Sequence, residues 1–165
     1  MDYFVCILLT GIGATAVTDL WSIVRQRFFG VALPNYGLVG RWIAWLPRGR
    51  IFQGPISATA PVHGERAIGW MAHYLIGIGF AALPPAIWGP EWFREPTLLP
   101  ALVVGIGTVA APFFVMQPAM GAGIAASRTP RPTAARLQSL ITHTIFGLGL
   151  YASGLLVSLA FSRGY

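Results

Sequence analysis

The chain has 165 residues, enough for one domain of ordinary size. It is 55% hydrophobic and only 10% charged, whereas about a quarter of the residues in a soluble domain are charged. The net charge of +6 comes from eleven Arg residues and no Lys, set against five acidic residues. This composition excludes a soluble globular domain and a disordered chain, and it is typical of a protein that crosses a membrane several times. Because the Arg residues are spread between apolar segments, we expect no nucleic-acid partner.

Four apolar segments have the length of a bilayer-spanning helix, about 20 residues. They are residues 3–24, 66–88, 98–121 and 136–161. The first segment is expected to remain as a span, since Asp2 stands where a signal peptide would carry positive charge. The predicted fold is an all-α membrane protein, a four-helix transmembrane bundle that forms a single domain. Its partners are the lipid bilayer and, as open alternatives, a second copy or a larger membrane complex.

The positions of the Arg residues predict the orientation of the spans. Six Arg residues flank the connection between the first two spans, and three flank the connection between the last two. These nine are Arg25, Arg27, Arg41, Arg48, Arg50, Arg66, Arg128, Arg131 and Arg136. Only Arg94 and Arg163 belong to the second connection and the C-terminal tail. By the positive-inside rule, both termini are predicted to lie outside, with the first and third connections in the cytoplasm.

The first connection contains a short segment, residues 36–46, that is apolar, rich in Trp and interrupted by Arg41. Asn35 is a suitable N-cap for a helix that starts here, and Pro47 would end it. The segment is too short to cross a bilayer. We therefore predict a helix in the cytoplasmic membrane interface.

The two halves of the chain share a motif. The pattern R-x6-H-x3-G-x-G occurs at residues 66–79 and again at 136–149, and the tripeptide GIG occurs at 11–13 and 105–107. Both matches come in the same order, which predicts a tandem pair of two-helix repeats, about 3–88 and 98–161. All of the motif glycines are expected at helix–helix contacts.

Five stretches also resemble a known family. They are GIGATAVTDLW (11–21), YGLVGRW (36–42), LPRGR (46–50), GERAIGWMAHY (64–74) and APFFVMQPAMGAGIAASRTP (111–130). Together they resemble a family of small bacterial inner-membrane proteins catalogued as domain of unknown function 2938. The resemblance implies a four-helix integral protein of the bacterial inner (cytoplasmic) membrane. It implies no activity and transfers no catalytic residue.

Polar residues inside the spans are the candidate functional groups, because such residues are costly in a bilayer and often mark function. His73 and His143 each lie seven residues beyond an Arg, Arg66 or Arg136, which is about two helical turns on nearly the same face. Helical rise and the direction of each span predict one polar layer in the inner half of the bilayer. Its members are Asp19, His73, Met116, Gln117, Met120 and His143.

One functional interpretation of this layer is a bis-His haem b. His73 and His143 would be the axial ligands, and the glycines one turn further on would leave room for the macrocycle. Arg66 and Arg136, at the starts of their spans, would bind the propionates or, without haem, an anionic lipid headgroup.

Two further functional interpretations stay open beside a purely structural one. Met116 and Met120 with the imidazoles have the ligand chemistry of a transition-metal site, copper(I) above all. Asp19 with a His would form a titratable relay, and prolines in the second and third spans suggest interrupted helices like those of transporters. We prefer this last interpretation, a small carrier or accessory membrane protein with an Asp/His layer.

Enzyme motifs are missing from the sequence. No Walker A loop, HExxH, CxxC or GxSxG is present, and Cys6 is the one cysteine. Asp19 is the one carboxylate expected inside a span, so general acid–base catalysis by a carboxylate pair is not predicted. The sequence gives no positive reason to predict an enzyme.

Overall fold

The computed structural model describes residues 2–51 and 54–162. In these ranges the chain forms helices and connecting turns without a strand, which confirms the all-α prediction. Arg163, which enters the orientation argument, lies outside the described residues.

Seven α-helices follow one another along the described chain. They are α1 (Tyr3–Phe29), α2 (Tyr36–Trp45), α3 (Glu65–Ala81), α4 (Leu83–Trp88), α5 (Leu98–Gly107), α6 (Gln117–Ala119) and α7 (Pro132–Ser162). Four stretches are long and apolar enough to cross a membrane, which confirms the predicted number of spans. These are Tyr3–Phe29, Glu65–Trp88, Leu98–Ala119 and Pro132–Phe161.

Two long helices extend beyond their predicted bounds. α1 was expected to end near residue 24 but continues to Phe29, where Gly30 adopts the left-handed conformation (φ 64°) and closes the helix. Charged residues at its end are compatible with helix, because a long Arg side chain can reach out of an apolar layer. α7 begins at Pro132, a residue favoured in the first helical turn, four residues before the predicted span.

Proline interrupts the second and third spans. α3 ends at Ala81, and α4 begins at Leu83 with prolines in its first turn. The prolines of these spans predict interrupted helices, and in the third span α5 ends at Gly107 and a π-helical segment, Pro112–Met116, precedes α6. Proline lacks the amide hydrogen that a regular helix needs at these points. The resulting irregular backbone is the kind often found at functional sites.

The chain divides into two compact units. Unit 1 consists of residues 1–33, 74–108 and 141–165, and unit 2 of residues 34–73 and 109–140. The main hydrophobic core belongs to unit 1, where Phe93 and Leu150 are fully buried among small and aromatic side chains.

Glycines bring helices of unit 1 into close contact. A side chain at Gly77 would collide with Thr15 of α1, and one at Gly147 would collide with the backbone of α5. Small residues allow backbones to approach in this way in membrane helices. Gly79 and Gly107 have nothing within 4 Å of an added Cβ, so the expectation that every motif glycine lies at a helix contact is wrong for these two.

Candidate functional site

The buried face of α1 in unit 1 is polar. Thr15, Thr18, Ser22 and Arg25 are all buried, and their spacing of three, four and three residues places them on one side of the helix. Thr10, also buried, lies further towards the N-terminus. A buried polar side chain costs free energy unless it is hydrogen-bonded, so this face calls for an explanation.

Three of these hydroxyls bond to their own helix. Thr15 Oγ1 donates to the Gly11 carbonyl at 2.7 Å, and Thr18 Oγ1 donates to the Ala14 carbonyl at 3.0 Å. Ser22 Oγ donates to the Thr18 carbonyl at 3.1 Å. Such bonds satisfy the hydroxyl hydrogen without water. Each hydroxyl oxygen keeps lone pairs that can accept a hydrogen bond from another group.

Thr10 differs from the other hydroxyl residues of this face. Its side chain has no exposed surface, and its Oγ1 has no hydrogen-bond partner among the described residues. An unmade hydrogen bond of this kind usually costs about 1–3 kcal/mol. The described residues therefore leave the polar face of α1 with one hydroxyl that has no hydrogen-bond partner.

Asp19 adjoins this face and is held by a residue of α3. The Tyr74 hydroxyl donates to Asp19 Oδ2 at 3.0 Å, and both residues are half-buried. The bond gives the carboxylate a donor inside a segment apolar enough to cross a bilayer. Asp19 is a candidate from the sequence and Tyr74 is not, because a single Tyr in an apolar helix is more often an interfacial or packing residue.

His143 of α7 forms a second polar cluster in unit 1. Its Nδ1 lies 3.1 Å from the Gly105 carbonyl oxygen and 3.1 Å from Thr108 Oγ1. Thr108 Oγ1 in turn donates to the same carbonyl at 2.7 Å. A carbonyl oxygen can only accept, so this arrangement favours the hydrogen on Nδ1. In the neutral ring, Nε2 then carries the lone pair that can accept a proton.

His73 has quite different surroundings in unit 2. Its ring stacks on Tyr36, with centroids 4.1 Å apart and an interplanar angle of 23°. Trp70 contacts both rings edge-on, at 4.7 Å from Tyr36 and 5.8 Å from His73. These aromatic contacts of His73 differ from the oxygen contacts of His143, although the two residues share a sequence motif.

The three remaining members of the predicted layer lie in unit 2, at the irregular end of the third span. Met116 ends the π-helical segment, and Gln117 begins α6 with a buried side-chain carbonyl that lacks a partner among the described residues. Met120 follows α6, and its backbone carbonyl accepts the Ile56 amide at 3.1 Å.

An ion pair that sequence analysis did not predict organises unit 2. Arg41 binds Glu65 with two parallel bonds, both 2.8 Å long, and its side chain is only 10% exposed. The same guanidinium donates to the Thr59 carbonyl at 2.8 Å and to the Ile56 carbonyl at 3.4 Å. The hydrogen bonds with Glu65 raise the pKa of Arg41 above its ordinary value. Glu65 is the one carboxylate in the sequence of unit 2, and this was the signal that could have identified it as the partner of an Arg.

The two candidate anion-binding Arg residues differ in their contacts. Arg66 is exposed in the first turn of α3. Arg136 lies in the second turn of α7, and its Nε donates to the Ala125 carbonyl at 2.8 Å. Ala125 and Ala126 both have positive φ, 47° and 59°, a conformation that non-glycine residues rarely adopt.

The geometry gives no support to the haem and transition-metal interpretations. Within residues 2–51 and 54–162, no group of three His, Cys, Asp or Glu side chains could hold a metal ion. The His73 ring stacks on Tyr36, and His143 Nδ1 lies beside the oxygen atoms of Gly105 and Thr108.

The family can be identified from the sequence as a whole. The model of the family described as "Protein of unknown function (DUF2938)" matches residues 8–157. The chain belongs to this family. No curated protein and no solved structure matches it. Membership in DUF2938 agrees with the resemblance noted in the sequence and supplies no activity, so the function has to be argued from the site.

Proposed function

We propose that this DUF2938 protein is a small membrane carrier in which Asp19 takes up and releases protons. The observation that supports this most directly is the Asp19 carboxylate bonded to Tyr74 in a candidate span. Ionisable groups at such positions typically belong to ion or proton pathways. The buried hydroxyl groups of Thr15, Thr18 and Ser22, on the adjoining face of α1, would accept hydrogen bonds from polar groups that pass along the helix.

His143 supports the same proposal from a second cluster in unit 1. With the hydrogen on Nδ1, its Nε2 is a base that can accept a proton. A carboxylate and an imidazole, each oriented by a hydroxyl group, are the components of a proton relay. An accessory role in a larger membrane complex would use the same groups to bind a partner instead.

We propose that the carrier lies in the bacterial inner membrane with both termini outside. The concentration of nine of eleven Arg residues at the first and third connections supports this orientation. In that arrangement α2, with Asn35 bonded to the Gly37 amide at 3.1 Å as its N-cap, lies in the cytoplasmic interface. One four-helix protomer is small for alternating access, so a dimer is the proposed working form.

A tandem origin of the two halves belongs to the same proposal. Gly77 and Gly147 hold the same position in the repeated motif. Each would contact a GIG-bearing helix if it carried a side chain, Gly77 at Gly11 in α1 and Gly147 at α5. This equivalence of packing supports a duplicated two-helix unit.

The test is proton flux in vesicles that contain the purified protein and a pH-sensitive dye, under a potassium diffusion potential. We expect the wild type to conduct protons faster than protein-free vesicles, and Asp19→Asn to fall to the protein-free level. Tyr74→Phe, which removes only the hydroxyl donor, should give an intermediate rate. Glu95→Gln is the matched control because Glu95 is exposed outside the helices. Flux equal to that of protein-free vesicles in the wild type, or an unchanged rate in Asp19→Asn, would overturn the proposal.

A further inference from the structure

The whole net charge of the protein belongs to unit 2. Its residues include seven Arg and one Glu, a net charge of +6, whereas unit 1 has four Arg and four acidic residues and is neutral. The single Glu of unit 2, Glu65, is already paired with Arg41. Unit 2 is therefore strongly cationic, and its positive field attracts anionic groups.

Two of the Arg residues of unit 2 lie beside Trp45, the last residue of α2. The guanidinium carbons of Arg48 and Arg50 each lie 4.8 Å from the centre of the Trp45 ring. Gly49, with φ 73°, turns the chain between the two Arg residues. Both Arg residues are exposed. We call Trp45, Arg48 and Arg50 the Arg–Trp cluster.

The cluster is held in place by bonds to its surroundings. Arg48 Nη1 donates to the Ala44 carbonyl at 3.2 Å, and Trp42 Nε1 donates to the Ile51 carbonyl at 2.9 Å. The first bond fixes one guanidinium and the second fixes the chain just beyond Arg50. A group that is already ordered loses less conformational entropy when it binds a ligand.

We propose that the Arg–Trp cluster binds the phosphate of an anionic phospholipid headgroup. Guanidinium groups recognise phosphate oxygens with paired, charge-assisted hydrogen bonds, and Trp favours the headgroup level of a bilayer. Ile51, which follows Arg50 directly, is 54% exposed. An exposed apolar side chain beside two cations suits a lipid, which offers both phosphate and hydrocarbon, better than a soluble anion. The inference rests on the interfacial position of α2 in the proposed function, but not on transport.

The experiment is native mass spectrometry of the full chain in detergent with added phosphatidylglycerol, phosphatidylcholine of the same acyl chains, or inorganic phosphate alone. We expect the wild type to retain phosphatidylglycerol in preference to phosphatidylcholine, and not to retain inorganic phosphate. The double variant Arg48→Gln/Arg50→Gln should lose this preference. Arg128→Gln/Arg131→Gln removes the same charge from the same unit and should keep it.

Three results would overturn the proposal. The first is that both double variants lose the preference for phosphatidylglycerol to the same extent, and the second is that Arg48→Gln/Arg50→Gln keeps this preference. The third is that the wild type retains inorganic phosphate as strongly as it retains phosphatidylglycerol. If the Gln variant fails to fold by circular dichroism, Arg48→Lys/Arg50→Lys keeps the charge but loses the forked geometry, and it should still weaken retention. Proton flux in the same variant distinguishes the two proposals, because loss of lipid binding with normal flux leaves the carrier function intact.

Discussion

Arg41 illustrates how one side chain organises a segment that has little regular structure. The carbonyls of Ile56 and Thr59 lie in the connection between α2 and α3, and Arg41 donates to both while it binds Glu65. A forked guanidinium can serve several acceptors at once, whereas an ammonium group is a single point of charge. When one partner of such a buried pair is removed, the other is left without its counter-charge.

The first prediction follows from this geometry. Arg41→Lys should lower the melting temperature in detergent, and Arg41→Met should lower it further because Glu65 then has no cation. The pKa of Arg41 is raised by its bonds with Glu65, and the stability that it contributes is lost only as pH rises through that pKa. The difference between wild type and Arg41→Met should therefore persist at mildly alkaline pH. Arg27→Lys, at an exposed position in the last turn of α1, is the control. Equal melting of Arg41→Lys and this control would contradict the prediction.

At the scale of elements, contacts between helices in unit 1 depend on where glycine lies on each helix. Gly147 is buried against α5, and a Cβ there would lie 2.9 Å from the Ala101 carbonyl oxygen. Gly79 is exposed on α3 and has an open neighbourhood. Both positions are helical, so a side chain improves the local helix propensity at both. The two glycines therefore differ only in their tertiary packing.

The second prediction compares substitutions at these two glycines. Gly147→Leu should destabilise the protein by about 1–3 kcal/mol or more, because the side chain must force α5 and α7 apart. Gly79→Leu should be neutral or slightly stabilising. Unfolding by sodium dodecyl sulfate in mixed micelles measures the difference. Similar stabilities of the two variants would show that Gly147 does not lie at a close helix contact.

For the whole molecule, the distribution of charge affects how the chain is inserted into the membrane. The neutral unit and the cationic unit are both assembled from separate stretches of chain, so the Arg residues of unit 2 come from two different connections. If positive charge is retained in the cytoplasm, both connections are held on that side together.

The third prediction is this orientation. Alkaline phosphatase, which is active only outside the cytoplasm, should be active when fused after Ser162 and inactive when fused after Pro55. A β-galactosidase fusion at each site is the reciprocal control. The opposite pattern of activities would overturn the proposed topology while leaving the fold unchanged.

The sequence by itself determined the number and kind of the principal elements. An apolar segment of sufficient length satisfies its own backbone hydrogen bonds only as a helix, so hydropathy alone predicts four of them. Local chemistry also placed the start of α2, since Asn35 caps the Gly37 amide two residues away. Helix ends were less accurate. The prolines at 84, 112 and 132 act through the local backbone in ways that hydropathy does not measure.

The tertiary structure decided which side chains meet. Asp19 bonds to Tyr74, Arg41 to a Glu 24 residues away, and His143 to Thr108, 35 residues away. Each pairing depends on how a helix is rotated about its axis. A helix that is apolar around most of its surface carries little sequence signal for that rotation. The rotation is set by close packing, through contacts such as those of Gly77 and Gly147, and packing exists only once the helices are assembled.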